Sequence, residues 1–354
     1  MNTFGNYLKI TLFGASHEPF VGLTADGFSA GIALDLDLIR KRLQNRKGLG
    51  ALTSKRLEPD DFEIISGYFE GHTTGAPLTV LVRNEDVKSE DYAINRHLAR
   101  PSHADYVNFV KYQGFADHRG GGVASGRLTV VLIILGAICE QILKPKNILV
   151  ASRMRSVGQL SDAERVFSDE DLRKLGEEPF PVADPAIKEQ ILQAIHQAKE
   201  AKDSLGGIVQ TFVRNLPVGL GNPFFDGFES LLGHLLLAIP GSKGLEFGDG
   251  FAIAGKRGSE ANDPMVYENG QVKFQSNHAG GLNGGLSDGE TVVFQTAFRP
   301  TPSIGIPQQT IDLVGQKNQV LTIEGRHDVI FAIKALHVVN ALTYYAILEM
   351  MQGR

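Results

Sequence analysis

Apolar positions recur along the chain with two periods, near two in short runs and near 3.6 in longer ones, and these mark strands and helices. The strand pattern covers Leu8 to Phe13, Phe62 to Ser66, Leu78 to Val82, Asn147 to Ala151 and Ile208 to Val213. It returns at Phe251 to Ala254, Thr291 to Phe298 and Gln319 to Ile323. The helical pattern predicts helices over Asp37 to Asn45, Ala104 to Val110, Ser125 to Leu143, Asp226 to Ile239 and Ile330 to Met351. A further helix has Asp184 as N-cap, Pro185 in its first turn, and Ile187, Ile191, Ala194, Ile195 and Ala198 on one face; Gly206-Gly207 stops it. The polar segment from Ser156 to Pro185 predicts a surface excursion. Strands and helices mix without strict βαβ alternation, so the expected class is α+β layers rather than a doubly wound parallel sheet. No Pro-rich or low-complexity linker divides the 354 residues, and the expectation is a single domain over 1–354.

Composition narrows the function. The formal net charge is −5, so there is no overall basic footprint for nucleic acid, and any anion site must be a local concentration of cations. The apolar run Val130 to Cys139 is about half the ~20 residues of a membrane-spanning helix. The opening residues carry no basic, long-apolar signal pattern. A lone cysteine, Cys139, fits a reducing compartment, and the reading is cytoplasmic. The 40 glycines cluster in GHTTG, RGGGVASG, PGSKGLEFGDG and HAGGLNGGLSDG, which points to loops that need positive φ or close approach to a ligand.

Some familiar motifs fail on context. Gly120, Gly122 and Gly126 are spaced one residue too widely for a dinucleotide fingerprint, and no strand precedes them. Gly285-Leu286-Ser287-Asp288-Gly289 matches a nucleophile elbow, but a strand follows where the elbow needs a helix. No HExxH or other metal-ligand motif stands out, and no metal is expected.

Four segments carry coherent chemistry. His17 follows the Leu8 to Phe13 strand on a Gly/Ser turn, a position suited to proton exchange near neutral pH. Arg100, His103, Lys111, His118, Arg119 and Arg127 fall in one short stretch interleaved with glycine. Guanidinium forks, backbone amides and the helix start at Ser125-Gly126-Arg127 would together favour an anion. SNHAGGLNGGLSDG and then Arg299 to Ser303 offer flexible backbone, a cation and hydroxyls, suited to a phosphate or a flavin-sized ligand. Glu324-Gly325-Arg326-His327-Asp328 enters the last helix; Asp328 there is either a cap or a pocket carboxylate.

Together these segments resemble the chorismate synthase family from Phe4 to about Glu349. The family's GESHG appears as Gly14-Ala15-Ser16-His17-Glu18, and its RPGHAD as Arg100 to Asp105 followed by Lys111-Tyr112. D-x-RGGGRSSARET is matched in part by Asp117 to Thr129, KPT-x-S-I reads Arg299 to Ile304, and FQSNHAGG and GRHD are intact. The resemblance implies a β-α-β sandwich, usually a homotetramer. It implies trans-1,4 elimination of phosphate from 5-enolpyruvylshikimate 3-phosphate, with reduced FMN as cofactor and NADPH associated with it. The small phosphorylated substrate would be the partner, with no nucleic acid or membrane. By the same resemblance His17 would protonate the departing phosphate, His103 would protonate or stabilise the reduced flavin, and Asp328 would help remove a proton from its N5. Arg46, Arg100, Ser125, Gly126, Arg127 and Arg326 would hold substrate, and Asn277, His278, Arg299 and Ser303 would contact flavin.

The chain departs from the pattern at Ala15 (Glu in the family), Glu18 (Gly), Val123 (Arg), Gly126 (Ala) and Leu128 (Glu), and lacks an arginine shortly after Arg46. Loss of positive charge with gain of Glu18 should weaken binding of a trianion unless Lys47 or Lys55 compensates. The alternative is a paralogue of the same fold that binds flavin or a phosphorylated acid without the elimination.

Overall fold

The structure, a computed structural model, describes residues 2–50, 58–85, 97–323 and 328–353. Two five-stranded sheets, each antiparallel throughout, enclose a layer of helices. The first sheet runs, in spatial order, Thr3–Phe4, Lys9–Gly14, Phe20–Asp26, Leu78–Arg83, Phe62–Ser66. The second runs Ser242–Phe247, Val292–Phe298, Gly207–Arg214, Leu149–Val157, Leu160–Ser161. Between them the helices Thr129–Leu143 and Ala332–Gln352 pack on each other, the former against the first sheet and the latter against the second. Both are apolar nearly all round and buried nearly all round, which is why neither shows a polar face. Gly136 permits their contact: a Cβ there would stand 2.3 Å from Ala341 Cα. The segment Gly126–Lys146 is long and apolar enough to cross a membrane, but it is mostly buried as a core element between the sheets. The α+β class and the layered sandwich are thus what the chain forms.

Several elements differ from expectation, each for a local reason. Phe20–Asp26 is a full strand, although Gly22 interrupts its pattern. A Cβ at Gly22 would lie 2.2 Å from Phe13 Cζ, so the missing side chain is the space that the neighbouring strand's ring occupies. The short strand expected at Asn147 to Ala151 runs from Leu149 to Val157, hidden by buried polar residues. Arg153, wholly buried, pairs with Asp162 at 2.8 Å and Gln210 at 2.9 Å. Ser156 to Pro185 is no loose excursion. It holds the helix Asp169–Glu177, opened by a Ser168/Asp171 capping box, and buries Phe167, Leu172 and Phe180. Phe251 to Ala254 is not a strand but part of a 3-10 turn, Gly250–Gly255, with Phe251 exposed and its N–H donating to Glu246. The strand near the C-terminus spans Lys317–Leu321 and pairs with Gln308–Asp312, which the pattern did not mark. The Ser287 elbow is excluded: Ser287 is buried in a hairpin, its hydroxyl donating to Pro217 O and accepting from Leu220 N–H.

Both central helices begin at the same end of the helix layer. There the turn Gly126–Leu128 and the residues Asp328 to Lys334 border one large cleft, together with the end of the Leu36–Arg46 helix.

Candidate active site

The cleft, about 1850 Å³, is built from loops that leave both sheets and from the starts of the two core helices. Binding sites for one small molecule run roughly 300–1,000 Å³, so this space suits two ligands side by side. His17, Arg46, Arg100, His103, Ser125, Gly126, Arg127, Arg299, Ser303 and Asp328 all line it. Asn277 and His278 are not brought to it. Asn277 Nδ2 donates to Thr291 O at 2.8 Å, and His278 Nδ1 lies 2.8 Å from Asp249 Oδ2. Arg326 and Lys55 lie outside the described residues.

The first cluster is centred on His17. The strand Lys9–Gly14 ends at Gly14, whose φ of +86° turns the chain, and the turn buries Ser16 and His17. Ser16 Oγ lies 3.0 Å from His17 Nδ1, and Ser16 N–H donates to Gly122 O. Gly120, at φ +59°, presses its backbone against the imidazole: an added Cβ would be 2.2 Å from His17 Cε1. Asn84 ties this turn to the arginines. Its Nδ2 donates to Ala15 O at 3.0 Å and Glu18 O at 2.7 Å, while Oδ1 accepts from Arg127 Nε at 2.8 Å.

Arg127 is held on every side. Besides Asn84 it donates to Arg83 O at 2.8 Å and to the Asp60 carboxylate, and Glu58 lies 3.9 Å away. Arg46, in the last turn of its helix, donates to Thr129 Oγ1 at 3.1 Å and Gly126 O at 3.1 Å, with Asp60 Oδ2 3.6 Å from Nη1. Asp60, buried and at φ +60°, therefore bridges both guanidinium groups. Lys47 Nζ donates to Pro59 O, 2.9 Å away, and also borders the cleft.

The second cluster is centred on His103. Arg100 closes its loop by a bidentate pair with Asp105, both contacts at 2.7 Å, and donates to Gly120 O at 2.6 Å. Its fork thus joins the two histidine loops to each other. His103 Nδ1 lies 3.0 Å from Pro101 O and Nε2 2.7 Å from Ser303 Oγ. Burial, reinforced by the Arg100 charge, pulls the imidazole down to about 4, so it is neutral at pH 7. Arg299 Nη1 donates to Ser102 O at 3.3 Å, which brings the strand end Phe298 up to this loop. Asp328 Oδ1 pairs with Lys334 Nζ at 2.7 Å, and both line the cleft, as does Phe331.

Sequence reasoning missed Asp60, Asn84 and Lys334. Lys334 had a signal, as the lone cation near the start of an apolar helix. Asp60 had none beyond its place among neighbouring acids. Of the departures, Ala15 and Leu128 are buried in the core and Glu18 and Val123 are exposed; among them and Gly126, only Gly126 lines the cleft. A Cβ at Gly126 would lie 2.9 Å from Phe331 Cε2, so the ring uses the space an alanine would fill.

Two histidines, a lysine-paired carboxylate and two buried arginines line one cleft, a set of groups able to exchange protons with an anionic ligand, as an enzyme's active site would. Comparison with known proteins identifies the family. The chorismate synthase family model matches residues 8–352. The chorismate synthase of Porphyromonas gingivalis is 40% identical over 351 residues, covering 99% of this chain and 95% of that one. That of Thermococcus kodakarensis is 39% identical over 350 residues, covering 99% and 97%. A crystal structure of chorismate synthase superposes with a TM-score of 0.77 at 24% identity, over 98% of this chain and 92% of the other, a likeness of fold. The chain belongs to the chorismate synthase family.

Proposed function

We propose that the chain is a lyase that eliminates phosphate from 5-enolpyruvylshikimate 3-phosphate to give chorismate, with reduced FMN bound beside the substrate. The observation that carries this reading is where the departures fall. The acid–base groups His17, His103 and Asp328 meet in one cleft, while Ala15, Glu18, Val123 and Leu128 lie off its wall. The departures that do reach the cleft are Gly126 and the segment from Lys47 to Gly50, which holds no arginine, and the acid–base groups themselves are kept.

The donor set fits a flavin as second ligand. Arg299, Ser303 and His103 form a polar group that a phosphate-bearing cofactor can use, Phe331 offers an apolar face, and the cleft is about twice the size one ligand needs. When bound, the reduced flavin supplies electron density to the substrate ring as phosphate departs. The chain's own residues do the rest. Arg46 and Arg127 present buried, preorganised guanidinium groups to the phosphate and carboxylates. His17, anchored through Nδ1 to Ser16, protonates the leaving phosphate, whose departure needs a proton near pH 7. Asp328, oriented by Lys334, is the proton acceptor. The homotetramer and the cytoplasmic setting implied by the resemblance belong to the same reading, and light scattering tests the former.

The test is anaerobic incubation of the protein with chemically reduced FMN and the phosphorylated substrate. Chorismate is the expected product. Flavin bound without chorismate would overturn the reading in favour of a binding paralogue.

A further inference from the structure

Among the described residues, the arginines and lysines that border the cleft are Arg46, Lys47, Arg100, Arg127, Arg299 and Lys334. Most of them already hold a carboxylate. Arg46 and Arg127 share Asp60, Arg100 holds Asp105, and Lys334 holds Asp328. Lys47 and Arg299 differ, because their hydrogen bonds go to carbonyl oxygens: Pro59 O for Lys47, Pro300 O and Ser102 O for Arg299. A neutral carbonyl is a weaker partner for a cation than a carboxylate, and gives way more readily to an anionic ligand. Lys47 is the one of the two that stands at the Arg46 corner. It follows Arg46 at the end of the Leu36–Arg46 helix, and the Pro59 it reaches precedes Asp60, the bridge between Arg46 and Arg127. A lysine closing a helix would ordinarily answer the helix's own terminal carbonyls. Here Nζ reaches away from them, across to Pro59 O at 2.9 Å. The arginine that the family carries shortly after Arg46 is missing from this same segment.

We propose that Lys47 is a further substrate-binding residue, whose ammonium leaves Pro59 O to take an anionic group of the substrate in place of the absent arginine. The flexible four-carbon stem allows that movement, which the fixed forks of Arg46 and Arg127 do not make. No carboxylate has to be displaced, so this contact adds affinity where the paired arginines only exchange one anion for another. The ammonium holds the substrate equally in its ground and transition states, so binding rather than chemistry depends on it. The identity of the substrate rests on the proposed function.

The test compares full-length wild type with Lys47→Met, which keeps most of the stem and removes the charge, and with Lys47→Arg, which keeps the charge. In the anaerobic assay Lys47→Met should raise the substrate KM roughly 10–100-fold, the share of one charge-assisted hydrogen bond, with kcat within about threefold of wild type. Affinity for FMN alone should be unchanged, and Lys47→Arg should recover most of the KM. Calorimetric titration with the phosphorylated substrate, which needs no turnover, should show the same loss and the same recovery. Wild-type KM and affinity in Lys47→Met would overturn the proposal. So would an equal loss in Lys47→Arg, or a fall in kcat that tracks a lower melting temperature, since either makes the lysine a strut for the turn that carries Asp60. A loss in Lys55→Met without one in Lys47→Met would give the compensating role to Lys55 instead. If the wild type binds the substrate but forms no chorismate, the proposed function fails, while the calorimetric comparison still decides the role of Lys47.

Discussion

Replacing Gly120 by alanine places a methyl carbon where the His17 imidazole now rests. The added carbon would stand 2.2 Å from Cε1, 2.5 Å from Nδ1 and 2.9 Å from Ser16 Oγ. Carbon atoms in contact prefer about 3.5–4.0 Å, so the ring must retreat by more than about 1 Å. The hydrogen bond between Ser16 and His17 cannot absorb this, because the Ser16 oxygen is crowded by the same methyl. A catalytic group displaced by about 1 Å loses on the order of 10² in rate, and that is the fall in turnover expected of Gly120→Ala. The backbone is also strained, since φ is +59° and an L-residue in the left-handed region costs about 1–2 kcal/mol. Gly122→Ala separates the two effects. Its φ is +54°, but its Cβ would meet nothing nearer than Asp117 O at 3.8 Å. Both variants should melt a few degrees lower than wild type, and only Gly120→Ala should lose turnover in the anaerobic chorismate assay. Equal turnover in the two variants, high or low, would refute the reasoning, because it would remove the contact with His17 from the explanation.

Asp60→Ala leaves two buried guanidinium groups without their bridging carboxylate, and should cost about 3–5 kcal/mol in denaturant melts. Inorganic phosphate should then raise the melting temperature of this variant more than that of wild type; an equal response would count against the bridging role. His337 is buried with Nε2 3.1 Å from Pro179 O, and burial holds it at about 4 against 6.5 when free. The unfolded chain therefore binds this proton first, so stability is full above about pH 6.5 and falls by about 3 kcal/mol as pH drops toward 4. Urea melts across that window should show the slope, and His337→Asn should remove the His337 share of it, leaving that of His103, which burial holds at about 4 as well. Glu349 accepts backbone N–H bonds from Asn6, Tyr7 and Leu8, tying the last helix to the first strands. Glu349→Gln puts an NH2 against some of those donors and should destabilise by about 1–3 kcal/mol, with turnover of the folded protein unchanged.

The elements most legible in the sequence were those in which one signal agreed with another. The Pro185–Glu200 helix had cap, proline and apolar face together, and the two core helices announced themselves as unbroken apolar runs. Phe20–Asp26 was hidden because Gly22 answers to a ring on another strand, and Leu149–Val157 because Arg153 is buried only by virtue of Asp162 and Gln210. These are relations between distant positions, and a local period does not record them. The site behaves alike. His17, His103, Arg127 and Arg299 stand in glycine-marked segments and could be picked out singly, but that they share a cleft depends on two sheets meeting. Asp60 and Lys334 acquire meaning only from Arg127 and Asp328, their partners in space.

That Arg46 and Arg127 share Asp60, with Glu58 close by, makes this corner of the cleft nearly neutral before any ligand arrives. Occupation by an anion is then an exchange of counter-ions rather than the filling of an open positive surface. Water was removed from both guanidinium groups when the chain folded, so a ligand does not have to remove it again. A lone phosphate has little to gain by competing with a carboxylate already in place. A molecule carrying one phosphate and two carboxylates can make that exchange while also engaging Arg299 and Lys334, so discrimination rests on the number of anionic groups and their spacing. Salt screens such buried, paired charges weakly, and occupancy of the cleft should depend far less on ionic strength than a row of exposed arginines would.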